Sequence, residues 1–201
     1  MGVLAQRSWV MMAYRMPREP STPRIVVWKR LRRLGVAQPV DGLVLLPQMP
    51  STQEGLEWIA EQVLAADGQV TLWTAAHVSP ADETATVAAM NAAVAAEYTA
   101  LAAEANTLAV EANALTAEAD VPGARVDAPP ADVAQSRGAT EAKTGMPADR
   151  AALRRAPARL GRALAQVQAR DYFGAAGRAE AERTVLALGS LLRDRDREAA
   201  R

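Results

Sequence analysis

The sequence predicts an α+β protein in which a small β-sheet domain is followed by long alanine-rich helices. Three observations favour this class. Short runs of Val, Leu, Met and Trp alternate with helical stripes in the first third of the chain, alanine dominates from about residue 80, and Pro and Gly recur between residues 121 and 147. We therefore predict an α/β domain over residues 1–78, a long helix over 79–119, a flexible linker over 120–148 and a C-terminal helical hairpin over 149–201.

The first predicted strand covers residues 8–15, where an apolar run too short for a helix ends before Pro17. It is apolar on both alternating faces, so we expect later helices or a second copy of the chain to cover the face that the domain's own helices leave open. The next element is a helix that begins with Thr22 as its N-cap and ends at Gly35. Its predicted inward residues are Val27, Trp28, Leu31 and Leu34.

A hairpin, a second helix and a fourth strand complete the first domain. Asp41-Gly42 separates two β-rich runs and predicts a tight turn. Ser51 and Glu54 have the spacing of a capping box, and a helix that ends at Gly68 is expected after them, followed by a strand over 70–73. The inward stripe of this helix is Leu56, Ile59, Ala60, Val63 and Leu64. The resulting order, strand–helix–strand–strand–helix–strand, is that of a ferredoxin-like βαββαβ domain.

From about Pro80 a single helix is predicted to reach Ala119, because neither Gly nor Pro interrupts it. Its apolar residues recur every seven positions, which is typical of a coiled coil. They are Val87, Val94, Leu101, Leu108 and Leu115. The predicted interface is narrow, because the flanking positions are alanine. A glutamate stripe with the same period, at 97, 104, 111 and 118, is expected to pair with Arg154, Arg155, Arg159 and Arg162.

The C-terminal hairpin is predicted to begin near Pro157, to break over residues 171–177 and to fray over 193–201. Its predicted inward residues are Leu160, Leu164, Val167, Ala181, Val185, Leu188 and Leu192.

Charge is distributed in blocks, although the formal net charge is zero. The first basic block predicts contact with DNA phosphates, for which it needs only positive side chains on one surface. Its residues are Arg15, Arg18, Arg24, Lys29, Arg30, Arg32 and Arg33. A weaker hypothesis assigns Arg15, Arg18 and Arg24 to a pocket for a tetrahedral oxyanion such as chromate. The alternative in both cases is an ordinary solvated surface.

Several classes of function are disfavoured by composition. With no Cys and one His, we expect no metal site and no cofactor. The first strand ends in Tyr14 and Arg15 rather than in a carboxylate, and Asp41 is explained by its turn, so no catalytic residue is assigned. His77 is expected to be a surface or capping residue, and Trp9 and Trp73 are expected to lie in the core. No segment predicts a membrane span or a leader, which indicates a cytoplasmic protein with no membrane partner.

Four segments together resemble the N-terminal domain of the chromate-resistance regulator ChrB family. They are WVMMAYRMPREPS at 9–21, WKRLRRLG at 28–35, DGLVLLP at 41–47, and Leu72-Trp73. Looser similarity extends to residues 96–98 and 170–174. The resemblance implies a fold similar to the middle domain of the phenylacetate-degradation repressor and, more distantly, to the Cas2 fold.

The function that the resemblance implies is transcriptional regulation of a bacterial chromate-efflux operon. The implied partners are promoter DNA, a second copy of the chain and the chromate oxyanion. The family's large C-terminal domain, to which chromate sensing is attributed, has no counterpart in this sequence. The alternative hypothesis is a protein-interaction or scaffold module that binds no DNA.

Overall fold

The computed structural model describes residues 7–119 and 147–199. The described elements are β1 (Trp9–Arg15), α1 (Ser21–Leu34), β2 (Ala37–Val40), β3 (Leu43–Pro47), α2 (Pro50–Ala65), β4 (Gln69–Ala75), α3 (Pro80–Ala119), α4 (Pro147–Gln168) and α5 (Arg178–Ala199). The predicted linker lies outside the described residues from 120 to 146. One compact unit contains the described residues up to Thr99 together with Leu164–Arg178, and a second contains the described parts of Ala100–Ala163 and Ala179–Arg201.

The four strands form one antiparallel sheet in the order β2-β3-β1-β4. The predicted mixed α/β class is confirmed. The strand β1 is central, and Trp9 lies opposite Pro47 on one side and Ala75 on the other. The hairpin turn at Asp41-Gly42 is also confirmed, although only Gly42 has a positive φ, of 76°. A side chain at Gly42 would clash with the Tyr14 carbonyl oxygen, which lies 2.6 Å from the position of its Cβ.

The strand β1 is apolar on both faces because both faces are packed. Helix α2 contacts β1 and β4, and α1 packs on α2. Trp9, which is fully buried, contacts the ring of Phe173 with 5.9 Å between the ring centroids. Tyr172 and Val87 also pack against the core, and Met90 belongs to it. Later parts of the same chain therefore cover part of the β1 face for which the sequence analysis expected a second packing layer.

Both predicted helix starts in this domain were wrong by two residues. In α1 the N-cap is Pro20, which has an extended backbone and no side-chain cap hydrogen bond, so the helix begins at Ser21 and not after Thr22. The predicted C-terminal stop is confirmed, since Gly35 has a φ of 70°.

In α2 the N-cap is Met49, and Pro50 takes the first helical position. Proline has no N–H, but an N–H at this position would have no partner within the helix, so no hydrogen bond is lost. The Met49 N–H donates to Thr52 Oγ1 over 3.0 Å, and the Thr52 hydroxyl donates to the Pro47 carbonyl over 2.6 Å. The predicted capping box of Ser51 and Glu54 was therefore wrong, because Thr52 is the third helical residue and takes the role expected of Glu54 by accepting the hydrogen bond of the N-cap N–H.

Three side chains predicted to face inward are exposed. Trp28 is 46% exposed, Leu64 58% and Trp73 45%. Each lies at the margin of the core: Trp28 flanks the buried residues Val27 and Leu31, Leu64 is in the last turn of α2, and Trp73 is on the edge strand β4. Hydrophobic periodicity identifies the face of an element but does not locate the margin of the layer packed on it.

The long predicted helix is confirmed, and α3 runs without interruption over Pro80–Ala119. Val94 and Leu101 of the seven-residue repeat are buried, Val87 and Leu108 are partly buried, and the side chain of Leu115 lies outside the description. Tyr98, which the repeat does not include, is fully buried, and its hydroxyl donates a hydrogen bond to Asp171 over 3.1 Å.

The C-terminal helices are longer than predicted. Helix α4 begins at Pro147, and Pro157 lies inside it, because the buried stripe continues upstream through Ala156 and Leu153. The break over residues 171–177 is confirmed. The predicted fraying of the tail was wrong as far as Ala199, since α5 continues to that residue and Arg195 bonds to the Ala112 carbonyl and to Asn113.

The glutamate stripe pairs with arginines, but only one predicted partner is found among the described ion pairs. Glu104 pairs with Arg159 as expected. Glu97 instead pairs with Arg170, and Arg154 pairs with Asp196.

Candidate functional site

Three of the predicted site arginines line one cavity. Arg15 ends β1, Arg18 lies in the loop that follows, and Arg24 is in the first turn of α1. The cavity has a volume of about 580 Å³. Arg24 donates a hydrogen bond to the Arg18 carbonyl over 3.2 Å, which fixes the loop against the helix. The structure therefore brings together the three residues proposed for oxyanion binding.

The same cavity contains a carboxylate, from Asp67, and an amide, from Gln69. Asp67 has a positive φ of 56° in the turn between α2 and β4, and Gln69 pairs with Arg15 across the sheet. Three guanidinium groups face one carboxylate, so the cavity is positively charged overall.

The basic side chains of α1 divide into two groups. Lys29, Arg32 and Arg33 are exposed. Arg30 is half-buried, and its guanidinium carbon lies 4.0 Å from the centre of the Trp58 ring on α2. Such a cation–π contact fixes the guanidinium against the protein and leaves it less free to reach a phosphate.

Arg32 makes a second contact of this kind, with Trp28 one turn earlier in α1, at 5.0 Å. Arg32 and Arg33 also lie in the last turn of the helix, where positive charge is stabilised by the exposed carbonyl groups. The exposed surface of α1 thus presents cations that no described carboxylate neutralises, which suits it to contact with a polyanion.

His77 is half-buried beside the core. Its Nε2 lies 3.1 Å from Thr86 Oγ1, and its ring meets that of Trp9 edge-on with 5.1 Å between the centroids. His77, which was expected to be a surface or capping residue, is partly covered, because the turn after β4 folds it onto Trp9. Among the described residues, no group of three or more His, Cys, Asp and Glu side chains is placed to hold a metal ion.

Sequence reasoning missed the pairs that join distant parts of the chain. No pattern in the sequence indicated that Trp58 would contact Arg30. Glu97 was expected to pair with one of the arginines at 154–162, but it pairs with Arg170. The one hint was the similarity of residues 170–174 to the family, which marks this short loop without showing what it contacts.

The fold and the basic helix define a small mixed α/β protein with a positively charged surface. Residues 24–120 match the family model described as Protein ChrB, N-terminal, which confirms the resemblance found in the sequence. Protein ChrB of Cupriavidus metallidurans is 29% identical over 65 residues, a stretch that covers 32% of this chain and 20% of that protein. The chain thus matches about a fifth of the length of this curated relative. No solved structure matches the chain significantly.

None of the described helices is both long and apolar enough to cross a membrane.

Proposed function

We propose that this protein is a DNA-associated transcriptional regulator of the chromate-resistance type that controls a chromate-efflux operon. The observation that carries the proposal is the set of exposed, unneutralised cations on α1, Lys29, Arg32 and Arg33. The match to the ChrB N-terminal domain supports the chromate-resistance context. The element order and the central position of β1 support a ferredoxin-like domain as the scaffold.

The proposed partner is promoter DNA, bound through phosphate contacts. Such contacts release counterions, so affinity falls as the salt concentration rises. Exposure supports a larger contribution from Lys29 and Arg33 than from Arg30, which stacks on Trp58. Arg15, Arg18 and Arg24 extend the positive surface beyond the start of the helix.

Fluorescence anisotropy with a promoter fragment of the chromate-efflux operon tests this proposal. The double variant Lys29→Gln/Arg33→Gln is expected to weaken binding at least tenfold and to reduce the slope of log K against log salt by about two. The matched control is Arg183→Gln/Arg197→Gln, which removes two exposed charges from α5 and is expected to bind as the wild type does. Equal affinities for both double variants would refute the assignment.

Chromate is proposed as a ligand of the cavity lined by Arg15, Arg18 and Arg24. Guanidinium groups suit a tetrahedral dianion because they donate paired hydrogen bonds. Calorimetric titration with chromate is expected to give saturable heat that Arg18→Gln abolishes. A flat trace at millimolar chromate would remove this part of the proposal and leave DNA binding untouched.

The second candidate function is a protein-interaction or scaffold module that binds no DNA. It is favoured by Trp73, which is 45% exposed on the edge strand β4, a strand without any charged residue. Uncharged edge strands offer unpaired backbone groups to another chain. We propose a homodimer, and light scattering of the purified protein tests whether one forms. No catalytic role is proposed, and the location is proposed to be cytoplasmic.

A further inference from the structure

A cleft of about 690 Å³ lies beside the last turns of α1. One wall consists of Ala85, Ala89 and Ala93, which follow one another at successive turns of α3. The opposite wall includes Leu31 of α1, and Val36 and Pro39 at the edge strand β2. The size and the apolar walls are typical of a site for a small organic molecule.

The shape of the cleft is fixed by a glycine. Gly35 has a positive φ of 70°, and a Cβ at this position would lie 3.0 Å from the side chain of Arg170. The Arg170 side chain therefore lies directly against the backbone at the end of α1 and lines the cleft there. Tyr172 fixes the same region through its hydrogen bond to the Leu34 carbonyl. These contacts fix the backbone at one end of the cleft.

The charged groups of the cleft do not balance. Arg170, whose side chain is only 15% exposed, is paired with Glu97, so these two cancel. Arg32 also lines the cleft, and no ion pair between described residues includes it. One guanidinium is left over, at the end of an apolar cleft.

An aromatic surface stands next to that guanidinium. Trp28 lines the cleft, is 46% exposed, and lies 5.0 Å from the guanidinium carbon of Arg32. An exposed indole offers a flat apolar face on which a planar ligand can stack. A ligand that uses both residues needs an apolar body and a single negative charge placed a short distance apart.

We propose that this cleft binds a small amphipathic monoanion, such as an aromatic carboxylate, with the acid group on Arg32 and the body between Trp28 and the alanine wall. The charge of the cleft argues for one anionic group rather than two. The proposal goes beyond the DNA-binding function and does not depend on it. It adds a ligand site that shares Arg32 with the basic helix, so a bound anion removes one cation from the proposed DNA surface.

Calorimetry with naphthalene-2-carboxylate as the probe tests the proposal, with the neutral naphthalene-2-carboxamide as its comparison. We expect saturable binding of the carboxylate, at least tenfold tighter than that of the amide. Replacing Arg32 with Gln is expected to lower the affinity for the carboxylate to that for the amide. The affinity for the amide is expected to stay unchanged. Arg155→Gln, an exposed α4 arginine outside the cleft, serves as the charge control and is expected to have no effect.

A pair of neighbouring alanines tests the location. Ala89→Phe places a ring in the cleft and is expected to abolish binding of both probes. Ala88→Phe, on the adjacent exposed position of α3 and outside the lining, is expected to leave binding intact. Thermal unfolding of each variant verifies that it is folded. If Ala89→Phe is not folded, Ala93→Leu replaces it, because this variant fills the same wall with a smaller side chain.

Three outcomes would overturn the proposal. The first is no heat at millimolar naphthalene-2-carboxylate, and the second is equal binding by the Ala88 and Ala89 variants. The third is a dimer in light scattering that only the Ala89 variant dissociates, which would show that a second copy of the chain occupies the cleft. Because no DNA is present, none of these results tests the proposed DNA binding.

Discussion

The phenol of Tyr172 donates a hydrogen bond to the carbonyl oxygen of Leu34 over 2.7 Å. Leu34 is the last residue of α1, and the last carbonyl groups of a helix have no partner within it. A residue that follows 138 positions later in the sequence therefore completes the end of this helix. The contact ties the loop after α4 to the domain that carries the basic surface.

Tyr172→Phe is expected to lower the free energy of unfolding by about 1 kcal/mol, the usual net value of one hydrogen bond. The ring remains and keeps its packing, so the loss isolates the hydroxyl. Urea denaturation at pH 7 measures it. An unchanged urea midpoint with an unchanged slope would show that water donates a hydrogen bond to the Leu34 carbonyl in place of the tyrosine.

The same variant also changes how stability depends on pH. Burial raises the pKa of Tyr172 above its ordinary value of 10.0, and the charge of Arg170 partly opposes this. The unfolded chain therefore loses the proton first, so the stabilisation is complete below about pH 10 and is lost as the pH rises further. Burial, with Asp41, also raises the pKa of Tyr14, so the Tyr172→Phe variant is expected to show a weaker alkaline decline but not a flat one. Denaturation curves between pH 8 and pH 11.5 provide the comparison.

Two glycine-to-alanine changes are expected to have opposite effects. Gly35→Ala forces a side chain into a left-handed conformation and against Arg170, so a loss of about 1–2 kcal/mol is expected. Gly161→Ala, inside α4 with open space around the new methyl group, is expected to stabilise by about 0.5–1 kcal/mol. Chemical denaturation of both variants tests the pair, and a shift of the same sign in both would contradict the assigned backbone conformations.

Two ion pairs of similar chemistry are expected to differ in their contribution. Glu104→Gln breaks a pair whose partners, Glu104 and Arg159, are about half exposed, and should cost about 0–1 kcal/mol. Glu97→Gln leaves the largely buried Arg170 without its carboxylate and should cost about 1–2 kcal/mol, reduced from the fully buried value because Glu97 itself is 44% exposed. Adding 1 M NaCl is expected to erase the Glu104 effect first, because exposed pairs are screened more strongly.

Truncation of two strand tryptophans separates the core from its margin. Trp9→Ala removes a fully buried ring and is expected to destabilise by about 3–5 kcal/mol. Trp73→Ala, on the half-exposed edge, is expected to cost about 1–2 kcal/mol. Thermal unfolding followed by far-UV circular dichroism measures both, and similar losses would mean that β4 is covered by another chain in solution.

Much of the fold follows from local patterns. The Asp41-Gly42 turn, the stop at Gly35 and the unbroken run from Pro80 to Ala119 are all found where short-range physics predicts them. The errors at the helix starts have one cause: Pro20 and Met49 carry no capping side chain of the usual type, so the sequence pattern favours Thr22 and Ser51, each two residues later.

The candidate site was harder to predict because its geometry depends on non-local contacts. The sequence identified the basic residues and led to the hypothesis that Arg15, Arg18 and Arg24 share a pocket, but it did not show that Arg30 stacks on Trp58. Nor did any local pattern indicate the cleft beside Arg32, whose lining combines α1, β2, α3 and Arg170. Such a site becomes visible only when segments far apart in the chain are brought together.

The packing of Phe173 on Trp9 also bears on how the protein is made. A ribosome releases the first strand long before it has synthesised residue 173, so for most of translation the indole of the nascent chain has at most the His77 ring against it and lacks the Phe173 ring. Domains whose last packing partner arrives late expose apolar surface for longer and need protection from aggregation during that interval. We expect the sheet to become protease-resistant only after the loop containing Phe173 has left the exit tunnel.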